Sequence, residues 1–106
     1  MIVKNDDVEL TDLGKGLSRK VLSNAENMMM VEVNFMKDAI GETHSHAHEQ
    51  ISYIIKGSFE LNIEGKREVV KVGDTFYIRP DAKHGVIALE DSTILDVFTP
   101  QREDFL

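Results

Sequence analysis

In Ser58-Phe59-Glu60-Leu61-Asn62-Ile63-Glu64-Gly65-Lys66-Arg67-Glu68-Val69-Val70-Lys71-Val72, the apolar residues Phe59, Leu61 and Ile63 take every second place, with polar residues between them. That period of two belongs to a strand with one buried and one wet face. Glu64-Gly65-Lys66 supplies a turn before Val69, Val70 and Val72, so the segment predicts a β-hairpin. The same alternation runs through Met29, Val31, Val33 and Phe35 on the N-terminal side. On the C-terminal side, Gly73-Asp74 turns the chain into Thr75 to Ile78 and Pro80-Asp81 breaks it. Two more strands follow, Val86 to Leu89 and Thr93 to Phe98. Short strands divided by Gly, Asp and Pro predict an all-β sandwich or barrel. Helix is a minor component, with one helical turn allowed in Leu10 to Ser23 and tails expected in the first dozen and last few residues. In Met28 to Met30, consecutive thioethers on a strand point to alternate faces, which favours core packing over a sulfur metal site.

With 106 residues the chain is expected to form one domain, residues 1–106, with a barrel core over about 28–100. Nineteen acidic against twelve basic side chains give a net charge of -7, which draws the protein to neither nucleic acid nor an anionic membrane. No cysteine is present, so disulfides, thiolate nucleophiles and Cys-ligated metals are excluded. The acidic residues Asp6, Asp7, Glu9 and Asp12 are the wrong charge for a targeting peptide. The apolar run Met28 to Val31 is far short of the ~20 residues that span a bilayer. A soluble, cytoplasmic protein is the expectation.

Three of the four histidines fall in His44-Ser45-His46-Ala47-His48-Glu49-Gln50, just before the apolar strand Ile51 to Ile55. On an extended backbone His44 and His46 project from one face and present two imidazoles to one point, a metal-binding arrangement. His84 follows the Pro80-Asp81 turn, and a barrel can bring it across to the first pair. A polar, His-rich surface turn is the competing interpretation. Glu49 competes with Gln50 as a further ligand but faces away from His46 in an extended segment. His48 shares parity with His44 and His46, and is open to a ligand-contact, supporting or exposed role. Asp96-Val97-Phe98-Thr99-Pro100-Gln101-Arg102 puts Asp96 and Phe98 on one strand face and Leu95 and Val97 on the other. Asp96 on an apolar strand needs a compensating partner, and either a salt bridge with Arg102 or a catalytic role would account for it.

His44-x-His46-x3-Gln50-x6-Gly57 resembles the first motif of the cupins, with Gln in place of the frequent Glu, and Gly73 with His84 resembles the second. The resemblance implies a cupin-type double-stranded β-helix, a small jelly-roll barrel, with His44, His46, Gln50 and His84 as metal ligands. Asp38 and Asp81 stand where the cupin pattern has Gly, and Asp tolerates the left-handed backbone such turns require. Pro80 is one place late, and Ala88 stands where Asn is frequent. Three imidazoles and an amide leave the charge of one divalent ion unneutralised, which favours an anionic ligand; Zn, Ni, Fe and Mn all suit the donors.

Arg19-Lys20-Val21-Leu22, the His44 to Gln50 segment and Asp96-x-Phe98-x3-Arg102 are similar to the KdgF group of cupins. That resemblance implies conversion of 4,5-unsaturated monouronates, from pectin or alginate lyase products, to linear ketonised 4-deoxy-5-keto-uronates. It implies functional roles for Asp96, Phe98 and Arg102, with a small anionic sugar acid as the partner. Small cupins also resemble one another in forming homodimers, with an N-terminal segment, residues 1–27 here, packed on the barrel or on a partner subunit. Arg19 is open between the site mouth and a surface ion pair. The alternatives are another metal cupin such as a small iron dioxygenase, or a non-catalytic sugar-acid binder.

Overall fold

The computed structural model describes all 106 residues and contains ten strands, with only single 3-10 turns at Asn5–Asp7 and Glu103–Phe105. In chain order the strands are β1 (Thr11–Gly14), β2 (Leu17–Ala25), β3 (Met28–Phe35), β4 (Ile40–His44) and β5 (Glu49–Lys56). The second half contains β6 (Ser58–Ile63), β7 (Lys66–Lys71), β8 (Thr75–Ile78), β9 (His84–Ala88) and β10 (Ser92–Thr99). A six-stranded sheet in the order β1-β2-β3-β10-β5-β8 faces a four-stranded sheet in the order β4-β9-β6-β7. All pairings are antiparallel. No helix is long and apolar enough to cross a membrane.

The hairpin expected from the period-two pattern is β6-β7, in register from Ser58 opposite Lys71 to Ile63 opposite Lys66. Glu64 and Gly65, both at positive φ, close it in the double left-handed turn that matches strand twist. Asp38 and Asp81 also adopt positive φ, 71° and 65°, so both keep the turn that Gly would make. Leu10 to Ser23 holds no helical turn, contrary to expectation. Its residues form β1 and most of β2, because β3 offers β2 a ladder of backbone partners, broken only by an irregularity between Val21 and Asn24, that one isolated helical turn lacks.

Between the sheets lie Phe35, Ile54, Phe59, Leu61, Val70, Ala88 and Ile94, with Phe35 and Phe59 packed edge to face at 5.0 Å. Met29, Val31 and Phe98 form a second cluster toward the C-terminal turn, so Met29 is core while Met28 and Met30 face outward. At the β5-β6 crossover Gly57 has φ +75°, and a Cβ there would overlap Ser92 Oγ. Only glycine fits. The ends are not free tails. Asn5 bonds Lys20 and Glu32, and Phe105 packs edge-on against Phe98 at 5.9 Å.

Candidate metal centre and cavity

Four elements converge at one end of the barrel. His44 ends β4, His46 lies in the following loop, Gln50 is the second residue of β5, and His84 opens β9. Strands β4 and β9 pair with His44 opposite His84. A Cβ on Gly85 would come within 2.8 Å of Thr43 Oγ1 and 3.0 Å of the Gly41 carbonyl, so the absent side chain permits this close approach. The backbone bond from Asp81 N–H to the His46 carbonyl, 2.7 Å, ties the Pro80 turn to the His46 loop.

His44, His46 and His84 each offer a ring nitrogen within 4.8 Å of the others. Each Nδ1 bonds a backbone carbonyl: Glu42 at 2.9 Å, His48 at 3.0 Å and Ala82 at 2.9 Å, respectively. Those bonds select the tautomer with the proton on Nδ1 and leave Nε2 bare, the arrangement that metal-ligating histidines use. Burial, with the neighbouring positive charges adding to it, pulls the His84 pKa down to about 4. Burial lowers that of His46 as well. Both imidazoles are neutral at neutral pH and free to act as ligands.

Gln50 fits the same centre. Its Nε2 donates to Ser52 Oγ at 2.9 Å and to Asp96 Oδ1 at 3.2 Å, so its Oε1 faces the histidines, 2.9 Å from His46 Nε2. In the tautomer above, two acceptor lone pairs meet there, a contact that a cation relieves. The donor set suits a divalent ion, which His44, His46, His84 and Gln50 would hold and which, when bound, would supply Lewis acidity.

Asp96 lies behind Gln50 on β10, opposite Ser52 in the ladder. Ser52 Oγ donates to its Oδ1 at 2.5 Å, and Gln50 bonds the same oxygen. Burial dominates these bonds and pushes the Asp96 pKa from 3.8 up to about 6. The expected alternative of an Asp96–Arg102 salt bridge is not what forms. Arg102 instead places Nε and Nη2 on the two oxygens of Asp104, at 3.1 and 2.9 Å, because the turn at Glu103–Phe105 folds Asp104 back beside it.

Asp96, Phe98 and Arg102 share with His44, Gln50 and His84 the lining of one cavity of about 160 Å³. Phe98 packs edge-on to His46 at 5.5 Å, and the Arg102 guanidinium lies 5.2 Å from the Phe98 ring. Glu49 stays outside and exposed, bonded by Tyr77 Oη. His48 Nε2 donates to the Gln101 carbonyl at 3.1 Å, and His48 is outside the three-histidine cluster. Arg19 lines the cavity, while the three ion pairs belong to Arg67, Arg79 and Arg102. Ser52 and Phe105 went unnoticed in the sequence. The signal for Ser52 was its place between Gln50 and Ile54 on the inward parity of β5, where a hydroxyl needs a partner.

Residues 31–98 match the Cupin domain family. The chain is 42% identical over 104 residues to the pectin degradation protein KdgF of Dickeya dadantii (strain 3937), covering 96% of this chain and 94% of that protein. The solved structure of KdgF from Halomonas sp. superimposes with a TM-score of 0.96 at 35% identity, covering 100% of this chain and 98% of the other. An RmlC-like cupin from Shewanella frigidimarina gives 0.96 at 35% identity, over 99% and 95%. Together with the four convergent ligand groups and the inward Asp96, these likenesses place the chain in the cupin family, among the KdgF proteins.

Proposed function

We propose that this protein is a metal-dependent enzyme that opens the ring of 4,5-unsaturated monouronates and ketonises the product to a linear 4-deoxy-5-keto-uronate. The observation that supports it most is Asp96, a carboxyl with a pKa of about 6 that lines the same cavity as His44, His84, Gln50 and Arg102. The chain's likeness to a pectin degradation protein supports a pectin-derived sugar acid as the substrate class.

In the cyclic substrate the C4=C5 double bond carries the ring oxygen, which is joined to the hemiacetal carbon C1. Asp96 takes the proton from the C1 hydroxyl. The C1–ring oxygen bond breaks as the aldehyde forms, leaving the electron pair on the enolate oxygen at C5. Asp96 then returns the proton to C4 as C5 becomes a ketone. Atoms and charge balance, and no oxidant is consumed. A carboxyl with a pKa near 6 is suited to both transfers at neutral pH. Ser52 and Gln50 hold Oδ1, so neither bond falls on Oδ2. Phe98 packs on the sugar face, and Arg102 pairs with the substrate carboxylate in place of Asp104.

The test follows ultraviolet absorbance of freshly lyase-generated 4,5-unsaturated galacturonate with metal-loaded protein. Decay faster than the spontaneous rate, abolished by chelator and in Asp96→Ala, is the expected result. Decay at the spontaneous rate with metal bound stoichiometrically overturns the proposal.

A further inference from the structure

The cavity mouth carries a second guanidinium. Arg19 projects from β2 with its Cζ 3.9 Å from the centre of the Phe105 ring, and Arg102 has its Cζ 4.3 Å from the same ring. One aromatic side chain therefore bears two cations, a cation–π arrangement on a ring that is itself braced edge-on by Phe98. Like charges do not gather around one ring without a reason, and an anion provides one.

The two arginines differ in their partners. Arg102 is closed on Asp104, as described above, with its side chain 12% exposed. Arg19 is half-buried, takes part in none of the three ion pairs, and lines the cavity beside His44, Gln50 and Asp96. Asp104 and Arg102 act on it only at a distance, with opposite signs. A guanidinium carries five donors in a planar fork, and one that is desolvated and stacked but unbonded is pre-organised for a planar oxyanion. In a protein of net charge -7, Arg19 is the cavity's one guanidinium without a carboxylate bonded to it, and so the point where an anion gains most.

We propose that Arg19 is a substrate-binding residue of this cavity: it receives the carboxylate of a uronate, shares it with Arg102 across the Phe105 ring, and so sets the preference for acidic over neutral sugars. The identification of the anion as a sugar carboxylate rests on the uronate reading above. The physical basis is independent of it. Phe105 acts as the platform that holds both forks in register, and Asp104 occupies the position on Arg102 that a bound carboxylate takes over.

The test uses full-length, metal-loaded wild type, Arg19→Ala and Arg19→Lys, with calorimetric binding of galacturonate, which lacks the reactive double bond, and of its neutral counterpart galactose. Galacturonate affinity is expected to fall about tenfold or more in Arg19→Ala and by less in Arg19→Lys, which keeps the charge and loses the fork. Galactose affinity stays unchanged in all three. With the unsaturated uronate, KM rises by about the same factor while kcat is retained. Unchanged galacturonate affinity in Arg19→Ala, equal losses for galactose and galacturonate, or no galacturonate binding to the wild type overturns the proposal. Arg19-dependent galacturonate binding by a wild type that does not speed ring opening rejects the enzymatic reading and upholds the anion site.

Discussion

Gln50 Oε1 and His46 Nε2 lie 2.9 Å apart, with the amide nitrogen of Gln50 held on the far side by Ser52 and Asp96. One side chain thus joins the three-histidine cluster to the buried carboxyl of Asp96. A glutamate in its place would ligate more strongly but could not donate to Asp96. Gln50→Glu is expected to tighten metal binding in a chelator competition. It is also expected to lower kcat about tenfold or more and to move the acidic limb of the pH profile upward, because a second carboxylate beside Asp96 disfavours its ionised form. An unchanged pH profile would show that the two groups are not coupled.

Ser52 donates to the same carboxylate oxygen as Gln50. Ser52→Ala removes the 2.5 Å bond to Asp96 Oδ1 and leaves a buried acceptor short of one donor. Stability should fall by about 1 kcal/mol in urea unfolding. Metal stoichiometry should be unaffected, since Ser52 touches Gln50 only through the amide nitrogen, while kcat drops several-fold.

Asp96 itself burdens the fold. Its pKa rises from 3.8 to about 6 on folding, so between those values the native state binds a proton that the unfolded chain releases. Native stability therefore declines as pH rises through that window, and the full cost is present above about pH 6. Removing the charge in Asp96→Asn should stabilise the metal-free protein at pH 7.5 by at most about 3 kcal/mol, with no gain below pH 4. Thermal melts at the two pH values check this. Turnover should be lost although metal is retained, a stability-for-function exchange.

His84 shifts the opposite way. Its pKa falls from 6.5 to about 4 on folding, so the unfolded chain binds the extra proton in that interval. The metal-free protein should lose stability as pH drops from about 6.5 toward 4, and His84→Gln should remove that component. The comparison is made by urea unfolding of both proteins across the interval.

The Arg102–Asp104 pair predicts competition at the cavity wall. Arg102→Ala should raise KM for the unsaturated uronate about tenfold or more. Asp104→Asn frees the guanidinium fork and should lower KM with kcat unchanged. A rise in KM for both variants would assign the pair a purely structural role in holding the C-terminal turn.

Period two in Ser58 to Val72 and Met28 to Phe35 determined the strands, because alternation is a local property that a strand must satisfy wherever it is placed. The spacing of His44 and His46 likewise announced a pair of imidazoles, and the parity of Asp96 and Phe98 assigned both to the inward face. Leu10 to Ser23 carried no such local decision. Its strands exist because β3 lies alongside β2, a long-range pairing that the segment's own residues do not encode. The approach of His84 to His44 depends on the β4-β9 register and on the space at Gly85. The partner of Asp96 is Ser52, 44 residues away, rather than the nearby Arg102, because strand pairing sets β5 beside β10. The chain order therefore supplied the donors and the faces they occupy. Tertiary packing decided the surroundings of Asp96, His84 and Arg19, since the burial and partner distances that shift pKa values and leave Arg19 unpaired arise only when distant strands come together.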